Sequence, residues 1–160
     1  MRILMCGTGG AGKENFGRTV ARPVDLEAYA DFLTFTQRQL LEARHGRFAR
    51  VWSIPENRQI TSELKPGDQV WFHHANYVNH VAQVVTVFRS NPGFDAALWN
   101  VRDFPASGFI FTVTEPQAAH ISKARINELL DYSEKNNWVG NRLLSEEKSK
   151  LLTSAVHLTI

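Results

Sequence analysis

Cysteine is almost absent from this 160-residue chain: Cys6 stands alone, so no internal disulfide can form. No stretch approaches the roughly 18 consecutive apolar residues of a membrane-spanning helix. The N-terminal residues are Gly-rich and polar where a secretory signal would need a continuous apolar run. These absences predict a soluble, cytoplasmic protein with no membrane partner. Excess charge is small as well, 18 Lys and Arg against 16 Asp and Glu, so net charge alone does not draw the chain to a polyanion. Internal repeats and low-complexity linkers are missing. So are a Ser, His and Asp arrangement and any paired acidic signature, and without a catalytic set no enzymatic activity is expected.

What the chain has is an ordinary globular composition, 43% hydrophobic and 21% charged, which fits one domain folding unaided around a single core. Its charge is unevenly spread. Arg38, Arg44, Arg47, Arg50 and Arg58, with His45, are opposed between residues 38 and 58 only by Glu42 and Glu56, and Arg2, Lys13, Arg18 and Arg22 precede them. The first third of the chain is therefore basic.

Apolar patterning predicts a strand over Arg2–Cys6, a glycine-dense segment Gly7–Lys13, and an irregular stretch to Val24. Asp25 is a suitable N-cap for one helix running to about Arg44, with Leu26, Tyr29, Leu33 and Leu40 near helical spacing and His45-Gly46 as the stop. Strands follow over Phe48–Ile54, Gln69–Phe72 and His80–Phe88, the last two forming a hairpin around a polar loop, His73–Asn79. Glu56–Leu64 is a polar connection with room for a helical turn. Ser90-Asn91-Pro92-Gly93 marks a turn, Phe94–Trp99 a short helix, and Phe109–Thr114 a further strand. Ser122 or Ile121 opens a helix carrying Ile126, Leu129 and Leu130, and Asn136–Leu144 is a loop holding Trp138. Ser145 caps a final helix with Leu151 and Leu152 inward, and Ala155–Ile160 offers a last strand. About five or six strands and three or four helices make an α+β domain whose sheet could close into a small barrel. Residues 1–24, the first strand and its Gly-rich loop, belong to the same domain as 25–160.

Gly7-Thr-Gly-Gly-Ala-Gly-Lys13 has the glycine and lysine spacing of a phosphate-binding loop. Glu14 stands where such a loop needs a magnesium-ligating hydroxyl, and Gly17 and Pro23 are expected to interrupt the helix that should follow. A flexible or DNA-contacting glycine loop is the alternative to a nucleotide-binding enzyme. His73, His74 and His80 lie near one hairpin, but adjacent strand residues face opposite ways, so no metal site is expected. Cys6, flanked by apolar residues, reads as a small core residue rather than a nucleophile. Trp99 reads as core. Trp52 ends a strand among Arg47, Arg50 and Arg58, where its ring can either pack inside or offer a π-face to a base beside phosphate-binding cations.

The segments Arg50-Val-Trp-Ser-Ile54, Glu63-Leu-Lys-Pro-Gly-Asp-Gln-Val-Trp-Phe72 and Val78-Asn-His-Val-Ala-Gln-Val-Val85 occur in that order. Ala96-Ala-Leu-Trp99, the Phe109–Thr114 strand, Ile126-Asn-Glu-Leu-Leu-Asp-Tyr132 and Trp138-Val139 continue the series. Across about residues 48–152 the chain thereby resembles the EVE family of PUA-like domains, and in particular the EVE-like DNA-reading domains of McrB-type modification-dependent restriction systems. The resemblance implies a PUA-like (EVE/YTH) mixed β-barrel that needs no cofactor. Its pocket, at one end of the barrel, would take a methylated base flipped from a duplex or offered by a single strand, modified DNA before RNA. By position, Trp52, Ser53, Phe72, His73, His74, Asn76, Tyr77 and Trp138 are the implied pocket residues, and Arg44, Arg47, Arg50 and Arg58 would hold phosphates. The chain departs from the family at His73-His74-Ala75-Asn76, where a Tyr-Arg-Asn-Gly type of loop is usual, and in its Gly-rich N-terminus. An effector nuclease, an NTPase subunit or a further C-terminal domain would act on what such a module reads. A protein-interaction module, with every aromatic in the core and the basic segment on an acidic partner, is the reading from a different class.

Overall fold

The computed structural model describes residues 1–91, 93–99 and 108–156. In chain order the elements are β1 (Ile3–Gly7), α1 (Ala11–Thr19), β2 (Val24–Asp25), a 3-10 helix (Leu26–Phe32), α2 (Phe35–His45), β3 (Phe48–Pro55), α3 (Arg58–Glu63), β4 (Gln69–His74), β5 (Tyr77–Arg89), α4 (Phe94–Trp99), β6 (Gly108–Val113), β7 (Gln117–Ser122), α5 (Lys123–Leu129), β8 (Arg142–Leu143) and α6 (Glu146–Ala155). No helix among the described residues is long and apolar enough to cross a membrane.

All eight strands form one mixed sheet in the order β2-β3-β6-β5-β4-β1-β8, with β7 pairing separately with β5. Only β1 and β4 run parallel, Ile3 opposite Gln69 through Gly7 opposite His73. The long β5 makes this curvature possible. Its first half pairs with β4 and β7 and its second half with β6, and bulges at Val78/His80 and Val84/Thr86 bend it between partners. The expected closed barrel does not form: among the described residues the sheet is open, with the two-residue strands β2 and β8 at its ends and no pairing between them. Helix α1 packs on β3, and its Phe16 makes edge contacts to Trp52 and Phe72.

Strand alternation distributes side chains among three cores. Leu4 and Cys6 of β1, Val70 and Phe72 of β4, Trp52 and Ile54 of β3 and Phe109 and Phe111 of β6 meet on the concave face under α1 and α3. Ile3 and Met5 point the other way, with Trp71, to join Ile126, Leu130, Trp138 and Leu152 beneath α5 and α6. Ala49, Val51 and Ile110 meet Leu26, Leu41, Phe94 and Trp99 beneath the 3-10 helix, α2 and α4. Ile3 to Cys6 are buried on both faces, which explains why β1 reads as an unbroken apolar run.

Several sequence expectations change. The single helix from Asp25 to Arg44 is two elements. Asp25 does cap, accepting from the Glu27 amide, but the 3-10 helix stops at Phe32 and Thr34 starts α2 with a reciprocal capping box to Gln37. Leu40, placed on the apolar face by periodicity, is 37% exposed. A regular helix does form after the glycine segment and passes through Gly17 to Thr19. The polar loop His73–Asn79 shrinks to a tight turn at Ala75 and Asn76, since β4 and β5 continue pairing to His74 and Tyr77. Strands β7 and β8 lie in segments that carry no period-2 apolar signal. Leu151 is 47% exposed and only Leu152 is inward. The proposed last strand falls mostly on residues 157–160, and the proposed turn includes Pro92, both outside the described residues.

Candidate functional site

The C-terminal ends of β1 and β3 converge with the start of α1 on a cavity of about 240 Å³. Gly7, Gly9, Ala11, Gly12 and Asn15 form one wall, Trp52 to Pro55 the opposite wall, and Trp99 and Asn141 complete it. Glycine makes the first wall possible. Gly10 adopts φ 58° as the N-cap of α1, a conformation that costs residues with a Cβ. With no side chain there to cap it, the amides of Gly9, Gly10 and Ala11 find no acceptor among the described residues, while those of Gly12 and Lys13 turn back to Gly9 and Gly10. The opening of α1 therefore brings free N–H groups and a partial positive charge to the cavity edge.

The second wall is aromatic. Trp52 is 94% buried, and its ring meets Phe72 at 5.7 Å and Trp99 at 6.2 Å, both edge to face. Its Nε1–H donates to Cys6 Sγ at 3.1 Å, and the thiol donates to Asn141 Oδ1, also at 3.1 Å. Trp99 is tied by its own Nε1–H to Thr19 Oγ1. Burial pushes the Cys6 thiol up to about 12, against a smaller opposing effect of the Trp52 hydrogen bond. A thiol so held stays protonated at neutral pH and is no nucleophile. Asn15, Ser53 and Asn141 are the polar side chains on a lining otherwise of glycine, aliphatic and tryptophan residues, and those of Asn15 and Ser53 make no hydrogen bond to any described residue.

The structure brings only some of the implied pocket residues together. Trp52 and Ser53 line the cavity, Phe72 supports Trp52 from within the core, and His74 stands near Gly9 at the rim, within 3.9 Å of where a Cβ would lie. His73 faces the opposite side of β4, packed over Gly7, with its Nε2 buried and unpartnered among the described residues. Burial, then the nearby Lys123 and His74 charges, lower its pKa to about 4, so its imidazole is neutral. Asn76 lies in the β4–β5 turn and Tyr77 opens β5, where it stacks on His120 with ring centres 4.1 Å apart. Trp138 belongs to the core under α5 and α6, its Nε1–H bonded to Asn127 Oδ1 at 2.7 Å, and does not line the cavity.

The arginines divide in the same way. Arg47 forms a two-pronged bond to Asp25 and reaches Glu27, and this pairing lowers the Asp25 carboxyl below its usual range. Arg50 donates to the carbonyls of Val20 and Ala21, just past the end of α1, and pairs with Glu115. Arg44 and Arg58 are exposed and make no ion pair among the described residues. Arg58 begins α3, three positions beyond Pro55 on the cavity wall. Sequence reasoning missed Asn15 and Asn141; it singled out the glycine segment, as a phosphate-binding or DNA-contacting loop, but did not place it opposite Trp52. The glycine density of residues 7–12 after a strand was the available signal; nothing local marked Asn141.

The chain matches no protein-family model and no curated protein by sequence. Its fold does have counterparts. The N-terminal domain of Thermococcus gammatolerans McrB, in a structure bound to m5C DNA, aligns with a TM-score of 0.69 at 16% identity over 97% of this chain and 96% of that one. The ASCH protein of Zymomonas mobilis aligns at 0.51 with 9% identity, over 95% of this chain and 94% of that one. A hypothetical protein from Leishmania major aligns at 0.50 with 12% identity, over 97% and 94%. At these identities the likeness is one of fold: an α+β domain built on a curved mixed sheet.

Proposed function

We propose that this chain is a DNA-binding module of the EVE/YTH kind, within the PUA-like folds, that reads a methylated base turned out of the helix into the cavity at Trp52. One observation carries the reading: a small aromatic cavity, walled by Trp52 and Trp99 and edged by free amides, in a fold that aligns almost end to end with a domain solved on m5C DNA. The physical chemistry is consistent. Extruding a base costs a few kcal/mol, least where stacking or pairing is already weak, and indole contact with hydrogen bonds to the base edge offsets it. Ser53 and Asn15 supply polar contacts, His74 borders the entrance, and Arg58 with Arg44 holds phosphates. His73, Asn76, Tyr77 and Trp138 support surrounding structure in this reading. The module performs no chemistry itself and serves a restriction or defence system whose effector acts on the bound DNA.

The test is fluorescence anisotropy with short duplexes and single strands of DNA and RNA carrying 5-methylcytosine, 5-hydroxymethylcytosine, N6-methyladenine or no modification, at two salt concentrations. A preference for one methylated DNA is expected, on top of salt-sensitive binding common to all. Equal affinity across the panel would remove the base-reading function, and a preference confined to RNA would reassign the substrate.

The α1 helix after the glycine segment keeps a nucleotide ligand as the second reading. Glu14, one position after Lys13 and bonded to Arg18, opposes it, because it brings a carboxylate near the phosphates. Lys13→Ala is expected to retain methyl preference; its loss, with ATP competing for the site in the wild type, would favour the nucleotide.

A further inference from the structure

The hydrogen-bond chain behind the cavity fixes which end of one amide the cavity sees. Trp52 Nε1–H can only donate, so Cys6 Sγ accepts from it. The thiol proton is then directed to Asn141, whose Oδ1 lies 3.1 Å away. With its oxygen engaged, the Asn141 amide has its NH2 group left over, and this group makes no hydrogen bond to any described residue. Asn141 is one of the cavity's lining residues. Its backbone is held on both sides: Gly140 turns the chain with φ 75°, and Arg142 pairs with Met5 in the sheet while its guanidinium lies over Trp138. An amide whose position and orientation are both fixed is suited to discriminate among ligands.

We propose that Asn141 reads the edge of the extruded base, presenting an Nδ2–H donor to a ring nitrogen or carbonyl acceptor, and that Cys6 is the positioning residue that sets the amide's orientation. This inference rests on the base-reading function proposed above. The ligand it selects is a methylated base with an acceptor on its exposed edge, N3 or O2 of cytosine or N1 of adenine. A base whose acceptor there is blocked, as N1 is in 1-methyladenine, would leave the Asn141 amide unpaired, which polar sites reject strongly. Cys6 contributes through the neutral thiol, which its burial preserves across the physiological pH range.

The experiment compares wild type with Asn141→Asp, Cys6→Ala and Cys6→Ser on otherwise identical duplexes carrying 5-methylcytosine, N6-methyladenine or neither; circular dichroism checks folding. Asn141→Asp keeps the acceptor for the Cys6 thiol and removes the donor, so the ratio of methylated to unmodified affinity should fall about tenfold or more. Taking that ratio cancels the charge effect of the new carboxylate on phosphates. Cys6→Ala should lower the same ratio severalfold, and Cys6→Ser, which restores a hydroxyl donor, should recover it. Whichever duplex the wild type prefers identifies the base. An undiminished ratio in Asn141→Asp would overturn the assignment of Asn141 while leaving base reading intact. A folded Cys6→Ala with the wild-type ratio would overturn the positioning role, and if Cys6→Ala does not fold, Cys6→Val, which fills the buried site without a donor, takes its place in that comparison. Wild type with no preference for either methylated duplex would overturn base reading and this inference together.

Discussion

Gly108 shows how little space some residues leave for change. A Cβ at this position would collide with the carboxylate of Asp95, which is buried and accepts both the Gly108 N–H and the Ser90 hydroxyl. Burial raises the Asp95 pKa against those two hydrogen bonds. Gly108→Ala should therefore cost about 1–3 kcal/mol, measured as a lower denaturant midpoint at unchanged slope. His73 makes a prediction about pH. Its folded pKa, about 4, lies below the ordinary 6.5, so the stability linked to its neutral form is complete above about pH 6.5 and is lost as pH falls toward 4. The loss amounts to about 3 kcal/mol. Unfolding free energies at pH 7 and pH 4.5 should differ by an amount that His73→Gln reduces. At this scale Trp52 stood out in the sequence as a strand tryptophan among arginines, yet it lies inside β3 and not at its end, and Arg47 and Arg50 are turned to other partners. Trp138 looked equivalent, yet it sits in a different core, because the side a loop aromatic turns to depends on Asn127, a partner 11 residues away.

Among the elements, α1 has the clearest consequences. Its start faces the cavity, and the carbonyls just beyond its end are held by Arg50 from β3. The sequence suggested phosphate binding for Arg50, but its guanidinium is committed to Val20, Ala21 and Glu115. Arg50→Ala should lower stability by about 1–3 kcal/mol, since charged donors to carbonyls are among the stronger hydrogen bonds. It should leave the salt dependence of DNA binding unchanged; a shallower salt dependence in this variant would restore the phosphate role. Elements with strong periodicity or clear caps were readable: β1, β3, β6 and the Ser145-capped α6 lie close to their predicted positions. The split between the 3-10 helix and α2 was not, because Asp25 and Thr34 are both good N-caps and periodicity alone does not choose between one helix and two. Strand β7 was hidden by its Ala and His content, and owes its pairing to the first half of β5.

For the whole molecule, a net charge of only +2 means that the DNA binding proposed for it would draw on where cations sit. Many of the basic side chains pair internally, as Arg2 with Glu63, Arg47 with Asp25 and Arg89 with Glu56. Arg58, without an ion pair among the described residues and close in sequence to the cavity wall, is with Arg44 a cation proposed to hold phosphate. Arg58→Ala should weaken methylated and unmodified duplexes about equally and lower the salt slope by about one; an effect confined to the methylated duplex would place it in base recognition instead. The general class, an α+β domain, followed from the predicted succession of strands and helices. The open sheet did not, because closure would need its ends, the two-residue strands β2 and β8, to pair, and strands so short leave no pattern in the sequence.

The central claim is that a methylated base leaves the helix for the cavity at Trp52. It is tested most directly by 2-aminopurine fluorescence, with the probe placed next to the modified base in the duplex that wild type prefers. At saturating protein the account predicts a rise in fluorescence as the neighbour unstacks, absent with the unmodified duplex. Tight binding of the methylated duplex with no rise would contradict base extrusion and leave recognition within the groove in its place.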